Sequence, residues 1–411
     1  VRVTFLGHAC HLVETGTHRI VTDPWLTDPI FSGAVERDPT LAFGVADLPP
    51  VDAIALTHGH LDHFNAPSLA AFPDKAVPVI VPTSGWTELE ANLRRLGYAD
   101  IRSLEDWASC EIARDLRVTA TPSLGVLDEC AYMFESGNLR FWNGADAPQP
   151  PDVVGEIAAR FGAVDLAALS HNSFDQPALL SLDSLKDADH GPAAAAAAAR
   201  TLGARFVIPA ASNMRWRGGD GPRITAKVIR RGAADLESAI ARDAPDSRLL
   251  DLAPGDAWSK EGGIERAALR GSAPAAVGND YIHAFLDTGE RHCGPERPSS
   301  EEAARVHFPA RLRAVAEAAE YVRANVAWEV VGDDAVTFSV DFVRAADGIS
   351  DEPAAAPFGL RIRDDDWKDL FERRTSWQCL LVSDRLAVTR YRAGTPPEGL
   401  HFAYAMQAIF P

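Results

Sequence analysis

Four metal-binding side chains fall within six residues in Thr57-His58-Gly59-His60-Leu61-Asp62-His63, directly after the apolar run that begins at Asp52 and ends at Leu56. Residues two apart on a strand share a face, so an H-x-H spacing at a strand end points two imidazoles the same way. Asp62 and His63 follow in the turn and can address a second ion about 3.5–4 Å away, the usual spacing of two-metal sites. Of the 12 histidines in 411 residues, three lie in this turn, which argues for a metal site over a packing role. A fold that uses the motif must therefore bring further donors to the end of this strand.

A chain of this length predicts two domains. The formal charge of −18 opposes nucleic acid or an anionic membrane as a partner. Arg215, Arg217, Arg223, Lys227, Arg230 and Arg231 offer an example of a local basic patch within that negative balance. No apolar run reaches the roughly 18–20 residues needed to span a bilayer, so membrane insertion is not expected. The start carries no secretory pattern, and Cys10, Cys110, Cys130, Cys293 and Cys379 include no C-x-x-C pair. A reducing, cytoplasmic setting follows as an expectation.

Short β-rich runs are predicted at 2–6, 18–22, 53–56, 77–81, 116–120, 131–134 and 139–142, the last two joined by a Gly137-Asn138 hairpin. Strands at 165–169 and 204–208 then alternate with helices at 153–161 and 193–202; a helix over 87–96 precedes them, stopped by Gly97. The seven alanines Ala193 to Ala199 suit a tightly packed helix. The pattern predicts an α/β protein of stacked sheets flanked by helices. Residues 1–255 are expected to form the first domain and 256–300 a linker or excursion. A smaller C-terminal α/β domain is expected at 301–411, with a helix at 298–326 and strands at 328–331 and 336–343.

Gly7-His8-Ala9-Cys10, Ile20-Val-Thr-Asp23-Pro24-Trp25-Leu26 and the H-x-H-x-D-H turn together resemble the metallo-β-lactamase fold over about residues 1–255. The resemblance implies an αββα sandwich with metals held by loops at its open edge. It also exposes two departures. Ser123 and Leu124 stand where hydrolases of the fold place a further His, and Ala210-Ala-Ser-Asn213 where they place the last one. Gly144-Ala145-Asp146 supplies the expected bridging carboxylate. Asp128-Glu129-Cys130-Ala131, Asn143 to Asp146 and Val207 to Ala211 resemble a carboxylate-rich branch that includes the chloramphenicol-pathway β-hydroxylase and the CMP-N-acetylneuraminate hydroxylase.

On that resemblance His58, His60, Glu129 and Asp146 hold one ion, and Asp62, His63, Asp146 and His171 the other, with Asp62, Glu129 and Asp146 central to catalysis. Asp128 is the alternative to Glu129, and His190 to His171. His8, Trp25, Asp175, His190, Asn213 and Arg215 are candidates for substrate contact, alongside Gln176 and Trp216. Two metal ions are implied as cofactors. The added carboxylates favour iron, with zinc or manganese as alternatives.

The implied activity is that of a dinuclear non-haem iron oxygenase acting on a small or carrier-tethered metabolite. A metal-dependent hydrolase of an ester, lactone, thioester or phosphodiester is the alternative, and a metal-stabilised binding protein the third. Cys10-His11 and His292-Cys293 are neighbour pairs, but no Cys-x-His segment of the kind a Rieske cluster needs is present, so no such cluster is expected and a separate electron donor would be needed. The segments Phe358 to Arg363, Trp367 to Glu372 and Leu380 to Leu386 loosely resemble a sterol-carrier-type module. Neither a G-x-S-x-G elbow nor a phosphate-binding P-loop is present. Oligomeric state leaves no sequence signal.

Overall fold

The computed structural model describes every residue except 84–87, 124–128, 147–149, 173–190, 220, 230, 275, 277–291, 294, 316–324, 343, 345–348, 352–355, 384, 392–405, 407–408 and 411. The chain divides into two compact units. One comprises Val1–Ile30, Glu36–Phe174 and Lys186–Val277; the other comprises Phe31–Val35, Asp175–Leu185 and Gly278–Pro411.

In the first unit an eight-stranded sheet runs in the order Gly263–Glu265, Ala257–Ser259, Arg2–Gly7, Cys10–Glu14, Arg19–Thr22, Ala53–Ala55, Val79–Pro82, Ile101–Leu104. Its last four strands are mutually parallel, which sends Asp23 and Thr57 out of the same sheet end. A seven-stranded sheet runs Arg248–Leu249, Phe206–Ala210, Leu166–Ser170, Leu139–Asn143, Cys130–Ser136, Leu116–Pro122, Ser109–Ala113. The two-residue Gly137-Asn138 turn sets the register, with Ser136 opposite Leu139. Beyond residue 255 the chain stays in the sheet, because Ala257–Ser259 pairs with Arg2, Val3 and Thr4.

Side-chain alternation explains the layering. In Cys130–Ser136, Tyr132 and Phe134 enter the core between the sheets with Val3, Phe5, Val13 and Ile80. Their neighbours Ala131 and Met133 face the outer layer instead. There Val154 and Ile157 of helix Pro151–Phe161, Leu236 and Ile240 of helix Ala233–Asp243, and Ala195, Ala196, Ala198 and Ala199 of helix Pro192–Thr201 cover the sheet. Alanine's small side chain lets that helix lie close to its neighbours, so the Ala run is structural. This is the α/β architecture of the metallo-β-lactamase fold.

The second unit is built on a five-stranded sheet in the order Ile349–Ser350, Val336–Asp341, Asn325–Val331, Phe358–Arg363, Leu386–Tyr391. Trp328, Phe338, Trp367, Phe371, Trp377 and Phe308 fill its core, with helices Asp364–Glu372 and Trp377–Val382 contributing. One expectation needs correction. The helix predicted over 298–326 is confined, among the described residues, to 300–314, and Val326 already belongs to a strand. Val326, Trp328 and Val330 are fully buried on one face, a period of two that overrides the helical reading. No helix among the described residues is long and apolar enough to cross a membrane.

Candidate metal centre

The strand Ala53–Ala55 is locked just before the histidines begin. The Leu56 carbonyl accepts from the Tyr132 hydroxyl at 3.0 Å and the Thr57 carbonyl from the Cys130 N–H at 3.0 Å, which ties the two sheets together at this edge. Thr57 then gives its N–H and its hydroxyl to the Asp23 carboxylate, each at 2.8 Å. The His60 carbonyl accepts from the His63 N–H at 2.9 Å, closing the turn. Asn65 then caps helix Ala66–Ala71 by accepting from the Ser68 N–H. The motif therefore sits on a short, doubly anchored turn.

Its donors converge with those of two other loops. His58 Nε2 is 2.7 Å from His60 Nδ1 and 3.8 Å from Asp146 Oδ1, while His63 Nε2 is 3.4 Å from Asp146 Oδ2 and 3.9 Å from Asp62 Oδ2. The two oxygens of Asp146 thus face different imidazoles. His8 Nε2 approaches Asp62 Oδ2 to 3.2 Å. His58, His63 and Asp146 form one group of potential metal donors, and His8, Asp62 and His63 another, each with its donor atoms within 4.8 Å of one another.

The electrostatics fit a cation here. Burial opposes charging His63, yet Asp146, Asp23 and Asp62 together raise its pKa well above the usual imidazole value. Burial and the neighbouring His63 hold His58 well below that value. Burial likewise opposes the ionised forms of Asp62 and Asp146, but His63, with His8 in the first case and His58 in the second, keeps both carboxyls below the ordinary range. Glu129 behaves oppositely: burial, then the charge of Asp146, pushes it up to about 8. Such crowding of carboxylates is relieved by positive charge. Moreover, His63 Nε2 and Asp146 Oδ1 are buried without a hydrogen-bond partner, a cost that metal ligation removes. The residues present fit a metal pair.

The structure brings together His58, His60, Asp62, His63, Asp146 and Glu129. His171 belongs to neither donor group; it lines a cavity of about 250 Å³ with Phe5, Pro209, Asn213 and Arg231. Burial lowers its pKa to about 4. Arg215 is drawn outward by Glu36 at 2.8 Å and Asp38 at 3.9 Å, and is nearly half exposed. Trp25 is fully buried and presents its ring to His8, with centroids 5.2 Å apart. Asn213 Oδ1 accepts from the His8 N–H at 3.0 Å. Asp128, Asp175, Gln176 and His190 lie outside the described residues.

In the sequence Asp23 figures only within the motif from Ile20 to Leu26 and is not among the candidate site residues. In the structure its carboxylate is 3.1 Å from His63 Nδ1, the carboxylate–histidine arrangement that fixes a ligand's tautomer and basicity. The contact depends on the parallel pairing of Arg19–Thr22 with Ala53–Ala55, which no local sequence signal gives. Asp23→Asn is expected to weaken metal binding about 10–100-fold, as such outer partners commonly do. Equilibrium dialysis with zinc against the wild type checks this, and unchanged affinity would remove Asp23 from the site.

Residues 18–210 match the model of the beta-lactamase superfamily domain. The first unit is accordingly a metallo-β-lactamase-fold domain, and the H-x-H-x-D-H turn lies within the matched region. Among relatives, a protein named as a Rieske 2Fe-2S iron–sulfur protein from Mycobacterium tuberculosis is 26% identical over 193 residues, 43% of this chain and 37% of that protein. A UPF0173 metal-dependent hydrolase from Herpetosiphon aurantiacus is 26% identical over 270 residues, 62% of this chain and 97% of the hydrolase. A 4-amino-L-phenylalanyl-[CmlP-peptidyl-carrier-protein] 3-hydroxylase from Streptomyces venezuelae is 27% identical over 184 residues, 41% and 33% of the two chains. The chain thus spans little more than a third of the mycobacterial relative and a third of the hydroxylase.

Proposed function

We propose that the first unit is a dinuclear metal oxygenase that hydroxylates a small or carrier-tethered substrate. Glu129 carries the reading: its carboxyl feels the charges of Asp146 and His63, and would enter the donor set where hydrolases of the fold use histidine. His58, His60, Glu129 and Asp146 would hold one ion, and Asp62 and His63, with Asp146 shared, the other. Asp23 orients His63. When bound, iron in such a carboxylate-rich set supplies O2-activating redox chemistry, whereas zinc supplies a Lewis acid for hydrolysis. The carrier-tethered substrate is suggested by the Streptomyces hydroxylase, whose name specifies an aminoacyl group on a peptidyl carrier protein.

Hydrolysis is the second reading, favoured by the near-complete coverage of the Herpetosiphon hydrolase. Metal analysis of aerobically purified protein, with an absorption spectrum before and after dithionite, separates the two. The expected outcome is about two irons per chain, with a near-ultraviolet band that bleaches on reduction. Two zinc ions and a featureless spectrum would replace the oxygenase with the hydrolase.

A further inference from the structure

We propose that His8 is a metal ligand, completing the Asp62 and His63 position that His171 was expected to fill. The inference rests on the dinuclear reading above. Its first support is distance. Donors held about 2.0–2.2 Å from a tetrahedral ion stand about 3.4 Å apart; His8 Nε2 to Asp62 Oδ2 is 3.2 Å, and His63 Nε2 to the same oxygen 3.9 Å. The second is orientation: the buried imidazole turns Nε2 to the Asp62 carboxylate, while its Nδ1 is buried without a hydrogen-bond partner.

Backbone strain is the third and independent support. His8 holds φ at 56°, a left-handed conformation that a non-glycine residue keeps only where its surroundings enforce it. They do. The His8 N–H is held by Asn213 Oδ1 at 3.0 Å and its carbonyl accepts from the Ala211 N–H at 3.3 Å. Gly7 precedes it at φ 99°, and a Cβ there would lie 2.3 Å from Arg37 Nη1. Trp25 closes the ring's other side. The turn is built to aim this imidazole at Asp62, whereas His171 belongs to neither donor group.

Cobalt(II) tests the assignment in the full-length protein. The wild type should take up two ions per chain and His8→Ala about one, with added imidazole restoring the second, while His171→Ala keeps two. In His8→Cys a thiolate-to-cobalt charge-transfer band absent from the wild type should appear. Two ions bound by His8→Ala at wild-type affinity, or a fully loaded His8→Cys without the band, would overturn the proposal. Should the His8 variants fail to fold, the cobalt-shifted ring N–H signals of the loaded wild type and of His171→Ala decide: four in both with His8 among the ligands, and three in His171→Ala without it. A wild type that binds fewer than two ions overturns the dinuclear reading itself, an outcome distinct from failure of His8 alone.

Discussion

Asp146→Asn is expected to abolish turnover and to leave at most one tightly held ion per chain. Its two oxygens face separate imidazoles, Oδ1 toward His58 at 3.8 Å and Oδ2 toward His63 at 3.4 Å. An amide offers one good acceptor oxygen and a weakly basic nitrogen that carries protons, so it serves one side of the pair only. The change also removes one of the charges that favour positive charge at His63. Loss of an outer-shell partner commonly costs 10–100-fold in affinity or activity, and loss of the shared carboxylate should exceed about 100-fold. Metal analysis after dialysis, paired with turnover under saturating metal, checks both halves. Wild-type metal content with full activity would overturn the site assignment.

Glu129→His should change which metal is kept more than how much is kept. With burial and Asp146 pushing it up to about 8, this carboxyl is fully ionised at neutral pH only when a cation shares its space. Replacing it by imidazole lowers the negative charge of the donor set and restores a histidine-rich pattern suited to zinc. Competition between iron(II) and zinc under anaerobic conditions should shift toward zinc by roughly tenfold or more, the scale of ligand-level changes in metal sites. An unaltered preference would mean that Glu129 does not ligate. The oxygenase reading would lose its main support with it.

The parts of this protein that were legible in the sequence are those whose signals are local. The H-x-H-x-D-H turn carries its donors within six residues, and the Gly137-Asn138 hairpin and the alanine helix announce themselves in the same way. What was less legible depended on contacts between distant segments. Asp23 meets His63 because Arg19–Thr22 and Ala53–Ala55 are parallel neighbours, with Thr22 opposite Ala55. His8 meets Asp62 through a left-handed turn pinned by Asn213, some two hundred residues away. His171 was expected as a ligand from the sequence, and in the structure it joins neither donor group. Val326 was misplaced for a related reason, since only the sheet around it distinguishes a buried strand from the end of a helix.

The bonds from Tyr132 and Cys130 to the carbonyls of Leu56 and Thr57 have a meaning beyond local anchoring. They join the two sheets at the residues from which the histidine turn springs, so the fold's interlayer seam and its chemistry share a single hinge line. The donor types above that line can therefore be exchanged, histidine for carboxylate, while the backbone stays registered to both sheets. One architecture can then host both redox and hydrolytic descendants. Both chemistries would therefore hang on the same two bonds between the sheets.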